Sequence, residues 1–223
     1  MLSIKELVFS YPKSDFEICI PSLDVKEGES LAITGPSGSG KTTLLNLISG
    51  ILQSKSGEIH IDKNTISKMK EDESRAYRIS QIGMLFQGFE LLEYLSVYDN
   101  ILLPYRLEST LRLDEIVYAR ATELTSVFGI ADKLKKYPSQ LSQGERQRVA
   151  LCRALITGAK LIIADEPTGN LDPKNTTLVA DMFLEYLKKE KATLITVTHD
   201  QSFAKRFDRQ IDFMQLLQER KDV

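Results

Sequence analysis

The chain has 223 residues, 42% hydrophobic and 27% charged, enough for one well-buried globular domain. A formal net charge of −2 argues against broad electrostatic attraction to nucleic acid, and no nucleic-acid partner is expected. No stretch approaches the roughly 20 apolar residues a membrane-spanning helix needs, and the start Met1-Leu2-Ser3-Ile4-Lys5-Glu6 lacks a basic-then-apolar secretory profile, so cytoplasmic residence is the expectation.

Leu2 to Phe9 alternate apolar and polar, as a half-buried strand does. Phe16 to Ile20 reads as a second strand that Ser22 to Val25 continue towards a turn at Lys26-Glu27-Gly28-Glu29. An antiparallel β layer is therefore expected at the N-terminus. Cys19, inside Ile18-Cys19-Ile20, is expected to be a buried reduced thiol, and Cys152 to pack within a helix; the two are too few and too separated for a disulfide framework.

Ser30 to Thr34 reads as a short buried strand. It leads into Gly35-Pro36-Ser37-Gly38-Ser39-Gly40-Lys41-Thr42, which matches the phosphate-cradling pattern G-x-x-x-x-G-K-[ST]. The glycines let the backbone turn tightly, its N–H groups converge on an anion, and the following helix adds its positive end. Lys41 is expected to reach the β- and γ-phosphates and the Thr42 hydroxyl to ligand Mg²⁺. Thr43 to Gly50 reads as the helix leading out, with Gly50 placed to end it. Strand, loop and helix in that order point to nucleotide binding. Tyr11, beside an earlier turn, can stack on an adenine ring or simply pack.

Ser56 to Asp62 suggests a turn and another strand, in which His60 is a surface or satisfied histidine. Glu71 to Ser80 is highly charged, with Arg75 and Arg78 on one solvated helix face. Ile82 to Phe86 is a short apolar strand ending at Gln87, whose amide can ligand Mg²⁺ or position water. From Phe89 to Leu113 the chain is rich in Leu and Tyr, and Pro104 breaks it; that suits a surface receiving a partner. Asp114 to Phe128 is helical, with Ile116, Ala119, Leu124 and Val127 expected to share a face.

Leu141 to Arg148 starts another helix, because Ser142 and Glu145 have capping-box spacing. Gly144 in its first turn would let a phosphate come close. Leu161 to Ala164 is a continuous apolar run typical of a central parallel strand, ending in Asp165-Glu166. Ligands sit at such carboxyl ends in open α/β sheets. Asp165 can hold Mg²⁺ and Glu166 can polarise an attacking water. Thr168 to Pro173 reads as a turn, followed by an amphipathic helix carrying Leu178, Val179, Met182, Tyr186 and Leu187. Ala192 to Thr198 forms a strand ending at His199, a candidate γ-phosphate sensor.

Taken together, these stretches resemble the ATP-binding cassette of ABC transporters over nearly the whole chain. Gly35 to Thr42 looks like Walker A, Leu161 to Asp165 like Walker B with Glu166 as the following glutamate, and Gln87 falls at the Q-loop. Leu141 to Glu145 resembles the LSGGQ signature, Asp172 the D-loop aspartate and His199 the switch histidine. In Gly35 to Leu45, Phe86-Gln87, Asn100 to Pro104, Tyr137 to Ser142 and Asp165 to Asp172 the chain looks most like the branch of MacB, LolD and FtsE, associated with macrolide export, lipoprotein release and cell-division signalling. It departs from the pattern with Leu-Ser-Gln-Gly-Glu at the signature, Lys63 in place of a glycine, and Asp212-Phe213-Met214-Gln215 in place of an aspartate–glycine turn.

The resemblance implies an α/β P-loop NTPase with a RecA-like parallel core, an N-terminal antiparallel layer and an inserted helical subdomain. The core would span about 1–87 and 157–223, and the subdomain about 88–156. ATP with Mg²⁺ is the implied ligand, held by Gly35, Pro36, Ser37, Gly38, Ser39, Gly40, Lys41, Thr42, Thr43, Gln87 and Asp165, with Tyr11 on the base. In the implied ATP-dependent homodimer, Ser142, Gly144 and Asp172 face the second copy's nucleotide. Glu166, His199 and Lys41 would carry catalysis, and Thr42, Gln87 and Asp165 the metal. Integral membrane permease subunits are the implied partners, placing the chain on the inner face of the cell membrane. A soluble ABC-type ATPase, or a signalling module uncoupled from transport, is the alternative.

Overall fold

The computed structural model describes residues 1–167 and 173–217, and for 173–178 the backbone alone. The turn expected at 168–172, with Asp172, and the Leu178 side chain lie outside the described residues. In chain order the elements are β1 (Leu2–Ser10), β2 (Glu17–Val25), β3 (Ser30–Thr34), α1 (Lys41–Ile48), β4 (Ser56–Ile61), β5 (Asn64–Thr65), α2 (Glu71–Gln81) and β6 (Ile82–Leu85). There follow α3 (Val97–Ile101), α4 (Leu103–Leu107), α5 (Glu115–Val127), α6 (Gln143–Leu155), β7 (Leu161–Asp165), α7 (Pro173–Glu190), β8 (Thr193–Thr198), α8 (Gln201–Ala204), β9 (Arg209–Asp212) and α9 (Phe213–Leu216). The chain forms two compact units, Met1–Arg78 with the residues from Thr193 onward, and Ile79–Ala192.

The first unit contains the expected antiparallel layer, in the order β2-β1-β4-β5. Leu2 and Ile4 are buried before Lys5-Glu6, and Leu7 and Phe9 after it, so the inward face changes from even to odd positions. A bulge makes the change. The β1–β4 register slips between Lys5 and Val8, and Glu6 sits at φ 48. Gly57 lies opposite, where a Cβ would come within 2.3 Å of the Glu6 carbonyl oxygen; only glycine fits there. Cys19 corrects the sequence reading. It is half-buried, because alternation along β2 turns Ile18 and Ile20 inward and Cys19 to the other face. His60 is satisfied by Glu58 and Thr65, at 2.8 and 3.1 Å.

The same unit holds parallel strands: β3 pairs with β8 on one side and β9 on the other. Every residue of β8 is buried, the run expected of a strand covered on both faces. Helix α1 packs against β8, and Leu44, Leu47 and Ile48 are among its buried residues.

In the second unit β6 pairs in parallel with β7, and α6 packs against β6, α3 and α5. Helix α5 starts at Asp114, whose carboxylate accepts from the Ile116 and Val117 N–H groups. Its inward face is Val117, Ala121, Leu124 and Phe128, while Ile116 is 78% exposed and Ala119 and Val127 also face outward. The expected face of Ile116, Ala119, Leu124 and Val127 is therefore corrected to Val117, Ala121, Leu124 and Phe128. The 117-121-124-128 spacing follows the 3.6-residue turn more closely, and Leu124 belongs to it.

Candidate functional site

The register of the parallel strands sets the chemistry. Thr34 pairs with Thr198, so the loop starting at Gly35 and the side chain at His199 leave neighbouring strands at the same level. His199 is exposed there. Within the loop, Lys41 is 7% exposed, and its ammonium donates to the Gly35 and Pro36 carbonyls at 2.9 and 2.8 Å. Gly40, with φ 110, caps α1, and a Cβ on it would meet the Phe16 ring at 2.7 Å. Phe213, fully buried, packs beneath Gly35, so the unusual tail supports the loop.

The Ser39 hydroxyl is buried beside Gly35 without a hydrogen-bond partner among the described residues. Buried polar atoms seldom go unpaired unless a ligand completes them. An anion among these N–H groups would pair both Ser39 and Lys41, so the residues present fit a nucleotide phosphate chain. Gly38, Gly40, Lys41, Thr42 and Thr43 line a cavity of about 280 Å³ together with Tyr11 and Phe16. Tyr11 is edge-on to Phe9 at 4.8 Å, lies 5.8 Å from the Phe16 ring, and its hydroxyl is 3.1 Å from the Thr43 hydroxyl. It packs, and it lines the same cavity as the loop.

In the second unit the register again levels two ends: Leu85 pairs with Ala164, so Phe86-Gln87 and Asp165-Glu166 leave side by side. Gln87 is exposed, and Asp165 and Glu166 are half-buried. Glu166 occupies the left-handed region at φ 46, a strain that clusters at functional positions.

Helix α6 begins with the expected box. The Glu145 carboxylate accepts from the Ser142 N–H at 2.8 Å, and the Ser142 hydroxyl accepts from the Glu145 N–H at 3.3 Å. That backbone bond holds the Glu145 carboxyl below the usual carboxylate range, helped by Lys133 at 3.7 Å, so the unusual acid stays charged at a favourable helix start. Gly144 lies in the first turn, as expected.

Sequence reasoning gave no structural role to three buried polar residues nearby. Asn100, fully buried, accepts from the Leu92 N–H and donates to the carbonyls of Leu92, Leu95 and Ser96, bracing the aromatic segment. Arg153, 9% exposed, donates from both terminal nitrogens to the carbonyls of Phe89 and Glu90 at 2.5 Å each. These two residues are consecutive and left-handed, at φ 62 and 48. Burial pushes the Arg153 guanidinium down to about 10, with Glu90 opposing the shift. Gln147 is the third, bonded to the Pro167 carbonyl. Arg153→Met is expected to destabilise the fold by about 3 kcal/mol, because it strands carbonyls held by a charged donor. Urea unfolding reads this; unchanged stability would contradict the assignment.

A family model described as ABC transporter matches residues 20–169. The lipoprotein-releasing system ATP-binding protein LolD of Treponema denticola is 40% identical over 187 residues, 84% of this chain and 82% of that one. The macrolide export ATP-binding/permease protein MacB of Rhodopirellula baltica is 39% identical over 188 residues, 84% of this chain but 28% of that protein. Among solved structures, the dimeric post-hydrolysis state of the ATP-binding cassette MJ0796 bound to ADP and Pi superposes with a TM-score of 0.84 at 32% identity, covering 95% of this chain and 94% of that one.

Proposed function

Because this chain belongs to the ABC transporter family as an ATP-hydrolysing cassette, we propose that two copies close over two ATP molecules and drive a membrane permease of the LolD or MacB kind. The observation that carries the reading is the loop around Lys41 and the unpaired Ser39 hydroxyl, taken with the dimeric, ADP- and Pi-bound relative. Lys41 and the loop N–H groups hold the phosphates, with Tyr11 against the base. Ser142, Gly144 and Asp172 engage the second copy's nucleotide.

Thr42, Gln87 and Asp165 would hold Mg²⁺, which when bound neutralises phosphate charge as the terminal bond breaks. Glu166 accepts a proton from the attacking water as general base, and His199 orients that water and the γ-phosphate. Loss of the terminal phosphate removes a group that both copies grip, and the dimer opens. The working division is a core of about 1–87 and 157–223 and a helical subdomain of about 88–156. Among the described residues no helix is long and apolar enough to cross a membrane. In this reading the permease holds the chain at the inner membrane face.

The docking surface is the aromatic segment Phe89 to Tyr105. Tyr94 is 75% exposed there, on a segment braced by Asn100. Tyr94→Ala is expected to leave basal ATP hydrolysis unchanged and to abolish its stimulation by co-purified permease in liposomes. Loss of nucleotide binding instead would make the segment plain core.

A further inference from the structure

Gln147 lies in the middle of α6 at 1% exposure. Its Nε2 donates to the carbonyl of Pro167, and among the described residues its buried Oε1 has no hydrogen-bond partner. A buried amide half of whose capacity is wasted is a poor way to fill space, since methionine or leucine fills the same volume without desolvating a polar group. The bond to Pro167 therefore carries its purpose.

That bond falls directly after Glu166. The backbone of Glu166 is left-handed, which a non-glycine residue avoids unless its surroundings impose it. Pro167 contributes by disfavouring the right-handed helical region for the residue before it. Relaxation of Glu166 to an extended backbone would still be open, and it would swing the Pro167 carbonyl away from α6. The Gln147 amide holds that carbonyl in place and so closes this route.

We propose that Gln147 is a positioning residue for Glu166: its bond to Pro167 fixes the strained backbone that aims the carboxylate and ties that aim to α6. This rests on the reading of Glu166 as general base. Ser142, at the start of α6, is five residues before Gln147, about 7.5 Å along the axis. A displacement of the helix start on meeting phosphate thus reaches Glu166 through one rigid element and one hydrogen bond.

The test is single-turnover hydrolysis of radiolabelled ATP by the full-length chain, with fluorescent-nucleotide affinity measured alongside. Gln147→Met removes the donor at similar length, and Gln147→Glu replaces it with an acceptor. Both are expected to slow hydrolysis by roughly tenfold, a fraction of what a general base supplies, with nucleotide affinity held within about twofold. In the Glu166→Gln background, Gln147→Met is expected to slow the residual rate no further, because a residue acting only through Glu166 has nothing left to act on. Equal slowing with and without Glu166, a full rate in both Gln147 variants, or lost nucleotide affinity in both would each overturn the proposal. If Glu166→Gln itself hydrolyses normally, the general-base reading fails first. If Glu166→Gln is slow and Gln147→Met is normal, the positioning role alone is wrong.

Discussion

Lys41→Met is expected to lower ATP affinity by at least roughly a hundredfold, since two charged hydrogen bonds at about 1.5–3 kcal/mol each are lost. Methionine keeps the length of the side chain, so the buried stem stays packed while the ammonium goes. That ammonium donates to the Gly35 and Pro36 carbonyls. These are acceptors in the loop itself, and phosphate oxygens compete for the same donors. The loop and the phosphates thus share one charge, and without it the polyanion is left with the loop N–H groups and the helix start. Isothermal titration with ATP and with ADP reads the effect. Affinity within tenfold of the unsubstituted chain would mean that the loop N–H groups and helix start suffice, and would remove Lys41 from its proposed place.

Glu166→Gln is expected to cut steady-state hydrolysis by roughly 10²–10⁴-fold, the usual contribution of a positioned general base. Glutamine keeps the shape and some hydrogen bonding but cannot take up a proton at neutral pH. Nucleotide affinity should change little, because glutamine keeps the size of Glu166 and the phosphates are held by Lys41 and the loop N–H groups rather than by this carboxylate. Parallel measurement of phosphate release and nucleotide binding separates the two effects. Ordinary turnover in this variant would take Glu166 out of the chemistry.

The features legible in the sequence are those whose determinants are contiguous. Gly35 to Thr42 carries its own turn chemistry, so the strand, loop and helix around it follow directly, and Gly50 ends α1 at φ 66 as its position suggests. The capping box of Ser142 and Glu145 is likewise a four-residue signal. Asp165 and Glu166 stand out because charge follows an unbroken apolar strand. Gln147 and Arg153 did not stand out. Their partners lie 20 and more than 60 positions away, and a polar residue inside a helix reads as solvated until its neighbours are known. The α5 face went wrong because Ile116 and Val127 are apolar yet exposed, so composition pointed to the wrong side. At Cys19, apolar neighbours in sequence are neighbours on the opposite face of the strand.

The central claim is that ATP itself closes two copies of the chain on one another. Sedimentation velocity of Glu166→Gln, with Mg-ATP and then with Mg-ADP, tests it most directly. The account predicts a shift from the 25.2 kDa monomer to twice that mass with ATP alone, and monomer with ADP. A variant that binds ATP and stays monomeric, or one that dimerises equally with either nucleotide, would contradict it.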